Sequence, residues 1–393
     1  MKKHSLFKII LIILGLLVIT SWFVIGRNGV TSYLAIGDIA INYVQAFYYF
    51  FDTIVFVTVI GAFYGVLNKT GAYKKLLDTI ATKVKSRSKE FIIGMIIIFA
   101  LIASLTGMTL PLLIFIPFAV SIILLLGYDK LVAISSTVVA TLVGMIGGIF
   151  TTFRDPSSYY GYSATTFENL SGIEKYSNIF PKILLLVLGV GFLIFFCLKH
   201  IKNVEDKKVK YELNDEADVM ITEVKGNYKD IKIWPMILVL SIALVLLILG
   251  LIPWNDLFKV EAFEKFHTWL TGLAIPEFKL FGLTFKEFPV FNSLIFSNMY
   301  AFGSWGNLGN FMVPIIILIF FSLLIKFIYK IKFDEAIDGF AEGFKKMVPT
   351  AIMIALIYTV LICAYNNGFI ETIISAAGDA KMGLNVVVTS LIT

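Results

Sequence analysis

The residues of this chain best suited to chemistry are hydroxyls, amides and glycines set inside uncharged sequence. Ser104, Thr106 and Thr109 surround Gly107 and Met108, just ahead of Pro111, in the middle of the charge-free run Phe91–Gly127. A second cluster, Gly144, Gly147 and Gly148, leads into Thr151, Thr152 and the neighbouring charges Arg154 and Asp155. A third is Asn366-Asn367-Gly368. Such groups, together with the unpaired backbone donors of helix ends, can hold a small anion or an ion. Acid–base or covalent chemistry needs more. His4, His200 and His267 lie outside the apolar runs and Cys197 and Cys363 inside them as packing residues, so no Ser/His/Asp set and no His/Cys metal cluster is visible. The chemistry on offer is binding, and the chain reads as a non-enzyme.

The elements that carry these groups must break inside a membrane. As one helix Phe91–Gly127 would be about 55 Å long, against a hydrocarbon core of about 30 Å. As two full spans it falls short of the roughly 40 residues needed. A re-entrant helical hairpin over 91–127 fits the length, with Gly107 and Pro111 as the break and the hydroxyls at its tip. A broken helix over 131–153 follows. Broken helices at membrane depth are tolerated where they line a cavity or are buried in protein, and in transporters their ends bind the substrate. Bland readings stand beside these. The hydroxyls could bond to helix carbonyls, Gly144 and Gly148 could serve close packing, Arg154–Asp155 could be a loop ion pair, and Asn366–Gly368 a C-cap.

Composition sets the class. Hydrophobic residues make up 58% of the 393 and charged residues 15%, against about 25% charged in soluble proteins. The chain is an all-α polytopic membrane protein whose partners are the lipid bilayer and a small-molecule substrate. Its net charge of +6 belongs to topology, because no basic run is interleaved with aromatics as nucleic-acid binding would require. Ile9–Gly26 reads as an uncleaved first span with its N-terminus in the cytoplasm. An interfacial helix follows, with Ile36, Ala40, Tyr43, Val44 and Phe47 at helical spacing, and then spans over Thr53–Asn68, Ile183–Leu198, Ile233–Leu251, a stretch from Phe311, and Met347–Tyr365. Asp334–Lys346 reads as a separate amphipathic segment, and Pro253–Glu287 as a loop with aromatic interfacial anchors. With the hairpin returning to its own side, 24 of the 33 Lys/Arg fall inside and nine outside, as a bacterial inner membrane protein requires. A single crossing by 91–127 would erase that bias.

Asp38–Leu77 and Glu335–Ile374 superimpose without gaps at an offset of 297, with the two spans running in opposite directions. This pattern predicts an inverted-repeat transporter fold: a first repeat over 1–198, a cytoplasmic linker over 199–232 and a second repeat over 233–393. Carrying the first tip forward by 297 places its counterpart beyond Thr393, so the second repeat is expected to be truncated.

Gly65-Val-Leu-Asn-Lys-Thr-Gly-Ala72, Thr106-Gly-Met108, Gly127-Tyr-Asp129, Val143-Gly-Met-Ile-Gly-Gly148 and Ala341-Glu-Gly-Phe-Lys-Lys-Met347 resemble the YfcC-type branch of the anaerobic C4-dicarboxylate carriers, in the ion transporter superfamily. Leu110-Pro111 and Thr151-Thr152 depart from the pattern, where acidic residues and Asn-Pro would be expected. The resemblance implies a secondary transporter, working by symport or exchange, for C4-dicarboxylates or basic amino acids, with a short-chain fatty acid carrier, or a channel-like or inactive truncated membrane protein, as alternatives. It implies two inverted repeats with paired hairpins. No cofactor is expected beyond a coupling Na+ or H+, and a homodimer is left open.

Overall fold

The computed structural model describes residues 5–23, 33–106, 111–146, 179–206, 230–252, 254–294, 300–305 and 312–369. Within them the chain is helical almost throughout: α1 (Ser5–Ser21), α2 (Ile36–Tyr49), α3 (Phe51–Lys69), α4 (Ala72–Val84) and α5 (Ser88–Thr106) come first. A 3-10 turn (Pro111–Ile114), α6 (Ile116–Leu125), α7 (Lys130–Ile134), a π-turn (Ser135–Val139) and α8 (Ala140–Ile146) follow, then α9 (Ile179–Glu205) and α10 (Trp234–Leu251). The remainder holds α11 (Trp254–Phe258), α12 (Ala262–Thr271), α13 (Val290–Leu294), α14 (Met312–Ile328) and α15 (Phe333–Asn366). Five helical stretches are long and apolar enough to cross a membrane: α3, α4 running into α5, α9, α10 and α15. α1, α6, α7–α8 and α14 are shorter apolar helices.

Helix α3 is the interior element, with 72% of its apolar window buried against 17–39% for the other four stretches. What lets it sit there is the small size of its partner's residues. The face of α15 turned to the interior carries Ala336, Gly339, Gly343, Ala351, Ala355 and Thr359, all buried. A Cβ on Gly61 would lie 2.6 Å from the Gly343 carbonyl oxygen, and one on Gly339 would lie 2.9 Å from that of Gly65. The two helices therefore run antiparallel, backbone against backbone, as the opposed span directions predict. Between lipid-solvated helices, apolar burial drives little association, so such close van der Waals contact does most of the work. Lys69 Nζ, 2.8 Å from Glu342 Oε2, ties one end of the pair.

One expectation changes here. Asp334–Lys346 and Met347–Tyr365 form one unbroken 34-residue helix, α15, which carries Pro349 inside it. No Gly or Asn cap separates the segments, so nothing stops the helix. The α2–α3 stretch is bent instead: Phe50, at φ −115° and ψ 25°, ends α2 and opens α3, and its ring stacks on Tyr358 at 3.6 Å between centroids. In α2, Ile36, Ala40 and Val44 of the apolar stripe are exposed, Tyr43 and Phe47 are half-buried against α3 and α15, and Asn42 and Ala46 are buried.

The stretch read as anchors holds a short β-hairpin. β2 (Phe278–Leu280) pairs antiparallel with β3 (Leu283–Phe285), and β1 (Ala274–Ile275) with β4 (Phe288–Pro289) outside them. Phe281 and Gly282 take positive φ at its tip, the pattern of a two-residue primed turn. The aromatic anchors Trp254, Phe258 and Phe263 cluster with one another. In α12, Lys265 bonds to the exposed Glu261 carboxylate at 2.9 Å and holds it below its ordinary pKa.

Candidate functional site

The hairpin closes on itself. Ser88, at the start of α5, and Tyr128, just past α6, have their hydroxyl oxygens 2.7 Å apart. Between these ends Ile92, Ile96, Phe99 and Ala103 of α5 share a buried cluster with Leu112, Ala119 and Ile123 of the returning arm. The chain thus comes back to the end where it started, and the break lies at the far end. There Tyr64 of α3 donates to the Ile114 carbonyl oxygen at 2.8 Å, fixing the 3-10 turn that opens the second arm.

The second broken helix packs onto the first arm. A Cβ on Gly144 of α8 would meet the Ala100 carbonyl oxygen and lie 2.8 Å from the Ala103 methyl. Ser104, fully buried, is one residue further along α5. The ends of α5 (Thr106) and α8 (Ile146) therefore emerge together. Of the predicted site residues, Ser104, Thr106 and Gly144 belong to this meeting point. Gly107, Met108, Thr109, Gly147, Gly148, Thr151, Thr152 and Arg154 lie outside the described residues.

The middle of this second helix is wound as a π-turn over Ser135–Val139, a local insertion often found at functional sites. Its hydroxyls point inward: Ser136 donates to the Val132 carbonyl at 2.7 Å, Thr137 to Ala133 at 2.7 Å and Thr141 to Thr137 at 2.9 Å. Their protons are committed to the helix, so these three support it rather than offer donors to a ligand. They went unnoticed in the sequence because no Gly or Pro marks a π-turn.

At its other end the helix is clasped. Asp129 caps α7, accepting from Val132 N at 3.0 Å, and its second oxygen lies 2.6 Å from His200 Nε2 on α9. Both side chains are mostly shielded, at 12% and 14% exposure. The sequence shows His200 outside the apolar runs and Asp129 within Gly-Tyr-Asp, but nothing in their spacing of 71 residues joins them.

Asn366, Asn367 and Gly368 form the C-terminal end of α15, with Gly368 at φ 71°. Asn366 donates to Asn42 Oδ1 at 3.3 Å, while Asn42 donates to the Cys363 sulfur at 3.1 Å. Asn367 Oδ1 accepts from Phe369 N at 3.0 Å. These bonds join this cluster to α2, while Ser104 and Gly144 meet across α5 and α8. Among the described residues no group of three or more His, Cys, Asp or Glu could hold a metal ion.

Residues 32–393 match the model of the C4-dicarboxylate anaerobic carrier (DcuC) family. An uncharacterized protein of Haemophilus influenzae is 26% identical over 168 residues, which is 42% of this chain. The match spans 31% of that relative's length. No solved structure matches the chain.

Proposed function

We propose a substrate and a site for this chain, which belongs to the C4-dicarboxylate anaerobic carrier family and is therefore a membrane transporter and not an enzyme. It carries a small organic dianion, a four-carbon dicarboxylate, by symport or exchange. The observation that carries this reading is the seating of Gly144 on Ala100 and Ala103, which brings the ends of two broken helices to one place beside the buried Ser104. Helix ends leave backbone groups unpaired; those of α5 and α8 are C-terminal and offer carbonyls, so the donors an anion needs are the hydroxyls and the amides that open the returning arm after Pro111. Charge supports the sign of the substrate. Between Phe91 and Ile146 the only charged residues are Asp129 and Lys130, and Asp129 is engaged by His200. A basic amino acid would find no free counter-charge on these helices, whereas a dicarboxylate needs donors rather than carboxylates.

The inverted repeat belongs to the same proposal. The antiparallel packing of α3 on α15 supports it, as does the bent-and-straight pair formed by α2–α3 and α15. Coupling to Na+ or H+ is likewise proposed. Counterflow in proteoliposomes tests the substrate: vesicles loaded with unlabelled four-carbon dicarboxylate should accumulate the labelled compound. Vesicles loaded with lysine, arginine or butyrate should not. Counterflow with the amino acids alone would overturn the reading.

A further inference from the structure

A cavity of about 240 Å³ lies between the second arm of the hairpin and α10. One wall is Ile114, Phe115 and Phe118, the other Ile237, Leu240 and Leu244, with Leu318 of α14 behind and Tyr73 of α4 at the floor. Three hydroxyls reach this lining, from Tyr64, Tyr73 and Ser241. The Tyr64 proton goes to Ile114 O. The Tyr73 hydroxyl is buried toward Ser121, whose own proton goes to Pro117 O at 2.7 Å, and makes no well-formed hydrogen bond.

This is no place for a dianion. Burying a charge without paired partners is prohibitively costly, and the lining has no cation and, besides Tyr64, only the Tyr73 and Ser241 hydroxyls. It is equally poor for water, which needs two to four polar partners to stay in a cavity. An apolar cavity of about 150 Å³ already takes up a benzene-sized hydrocarbon, so this one has room for more. Its mouth says which hydrocarbon. Ile237 and Leu244 line the cavity and are also 44% and 40% exposed, on a helix whose neighbouring Leu238 and Val245 are 50% and 54% exposed. In a membrane protein, that apolar exposed face is solvated by lipid chains, and the cavity opens directly onto it.

We propose that this cavity is a binding site for the acyl chain of a membrane lipid, inserted between the hairpin's second arm and α10. The chain fills the space beside Phe115 and Phe118 and meets the Tyr73 ring at its inner end. The cavity shares none of the proposed substrate-binding residues, touching the candidate site only through Tyr64 and Ile114 at the hairpin's 3-10 turn, so the proposal stands on membrane embedding alone.

The test is photo-crosslinking in nanodiscs built with a phosphatidylcholine carrying a mid-chain diazirine, followed by peptide mapping. Crosslinks are expected at 114–118 and at Tyr73 or Leu76, in addition to the exposed face of α10. Ser241→Trp, at the exposed mouth, plugs the entrance and should reduce the 114–118 and Tyr73 crosslinks severalfold. Val245→Trp, on the lipid face outside the lining, should leave them unchanged. Thermal stability of each variant, measured alongside, shows that it is folded. Crosslinks confined to exposed positions such as Phe192, Phe195 and Val245, or inner crosslinks untouched by Ser241→Trp, would overturn the proposal. If Ser241→Trp is unstable, Leu244→Trp plugs the same mouth and gives the same reading.

Discussion

The hydroxyls of Ser88 and Tyr128, forty residues apart, lie 2.7 Å from one another and shut the open end of the hairpin. A straight helix from one to the other would hold them about 60 Å apart. The segments flanking the hairpin therefore leave it at a common end. Single cysteines at Lys83 and Lys130, in a background lacking Cys197 and Cys363, should both stay unlabelled by an impermeant maleimide in intact cells. Lys265, beyond the next spans, should label. Labelling at one of 83 and 130 but not at the other would contradict the hairpin.

The glycine contact between α3 and α15 has no slack. Gly65→Leu or Gly343→Leu must push one backbone off the other. Overpacking of this kind costs about 1–3 kcal/mol in ordinary cores, and here the atoms met are backbone. Either variant should lower the unfolding temperature and yield in detergent. Gly15→Leu, with nothing within 4 Å of its Cβ, should not. Equal melting of all three would show that the two helices do not meet as described.

Asp129 serves two partners at once, the Val132 amide and His200. Asp129→Asn keeps a cap and loses the charge. Asp129→Ala loses both, with the cap alone worth about 1 kcal/mol. In a double-mutant cycle with His200→Ala, groups in direct contact should show a coupling of about 0.5–3 kcal/mol, read from thermal or denaturant unfolding. Strict additivity would mean that the two side chains do not interact.

At the proposed substrate site, Thr106→Val keeps shape and removes one hydroxyl, and Ser104→Ala and Thr109→Val do the same nearby. Losing a hydrogen bond to a charged ligand costs about 1.5–3 kcal/mol, which is about ten- to a hundredfold in affinity. Counterflow half-saturation should rise by that much for at least one of the three, with protein yield unchanged. Three variants of unaltered affinity would remove the hairpin tip from the site.

Spans and breaks were legible because lipid makes them so: an apolar run of fixed length, ended by Gly, Pro or charge, has few ways to fold in a bilayer. The meeting of Ser104 and Gly144 was harder, since each break is local and their encounter is tertiary. The four-residue spacing of Gly61 with Gly65 and of Gly339 with Gly343 was a readable packing signal, obscured because the motifs at 65–72 and 341–347 take in only one member of each pair. The β-hairpin at 274–289 was hidden under its own aromatics, which fit interfacial anchoring equally well. Asp129 with His200 left no trace, because a pair from separate helices has no period.

The π-turn at Ser135–Val139 acts as a phase shift in a screw. One surplus residue in the winding turns everything beyond it by about 100°. Gly144 faces Ala100 at the angle this offset provides. Wound as an ordinary helix with no residue removed, the same sequence would rotate the glycine out of the contact and bring Val143 to the place where it now meets the α5 backbone. Deleting Val138 would remove the surplus residue and leave Gly144 on Ala100, so the count of residues and the winding must match for the two breaks to meet.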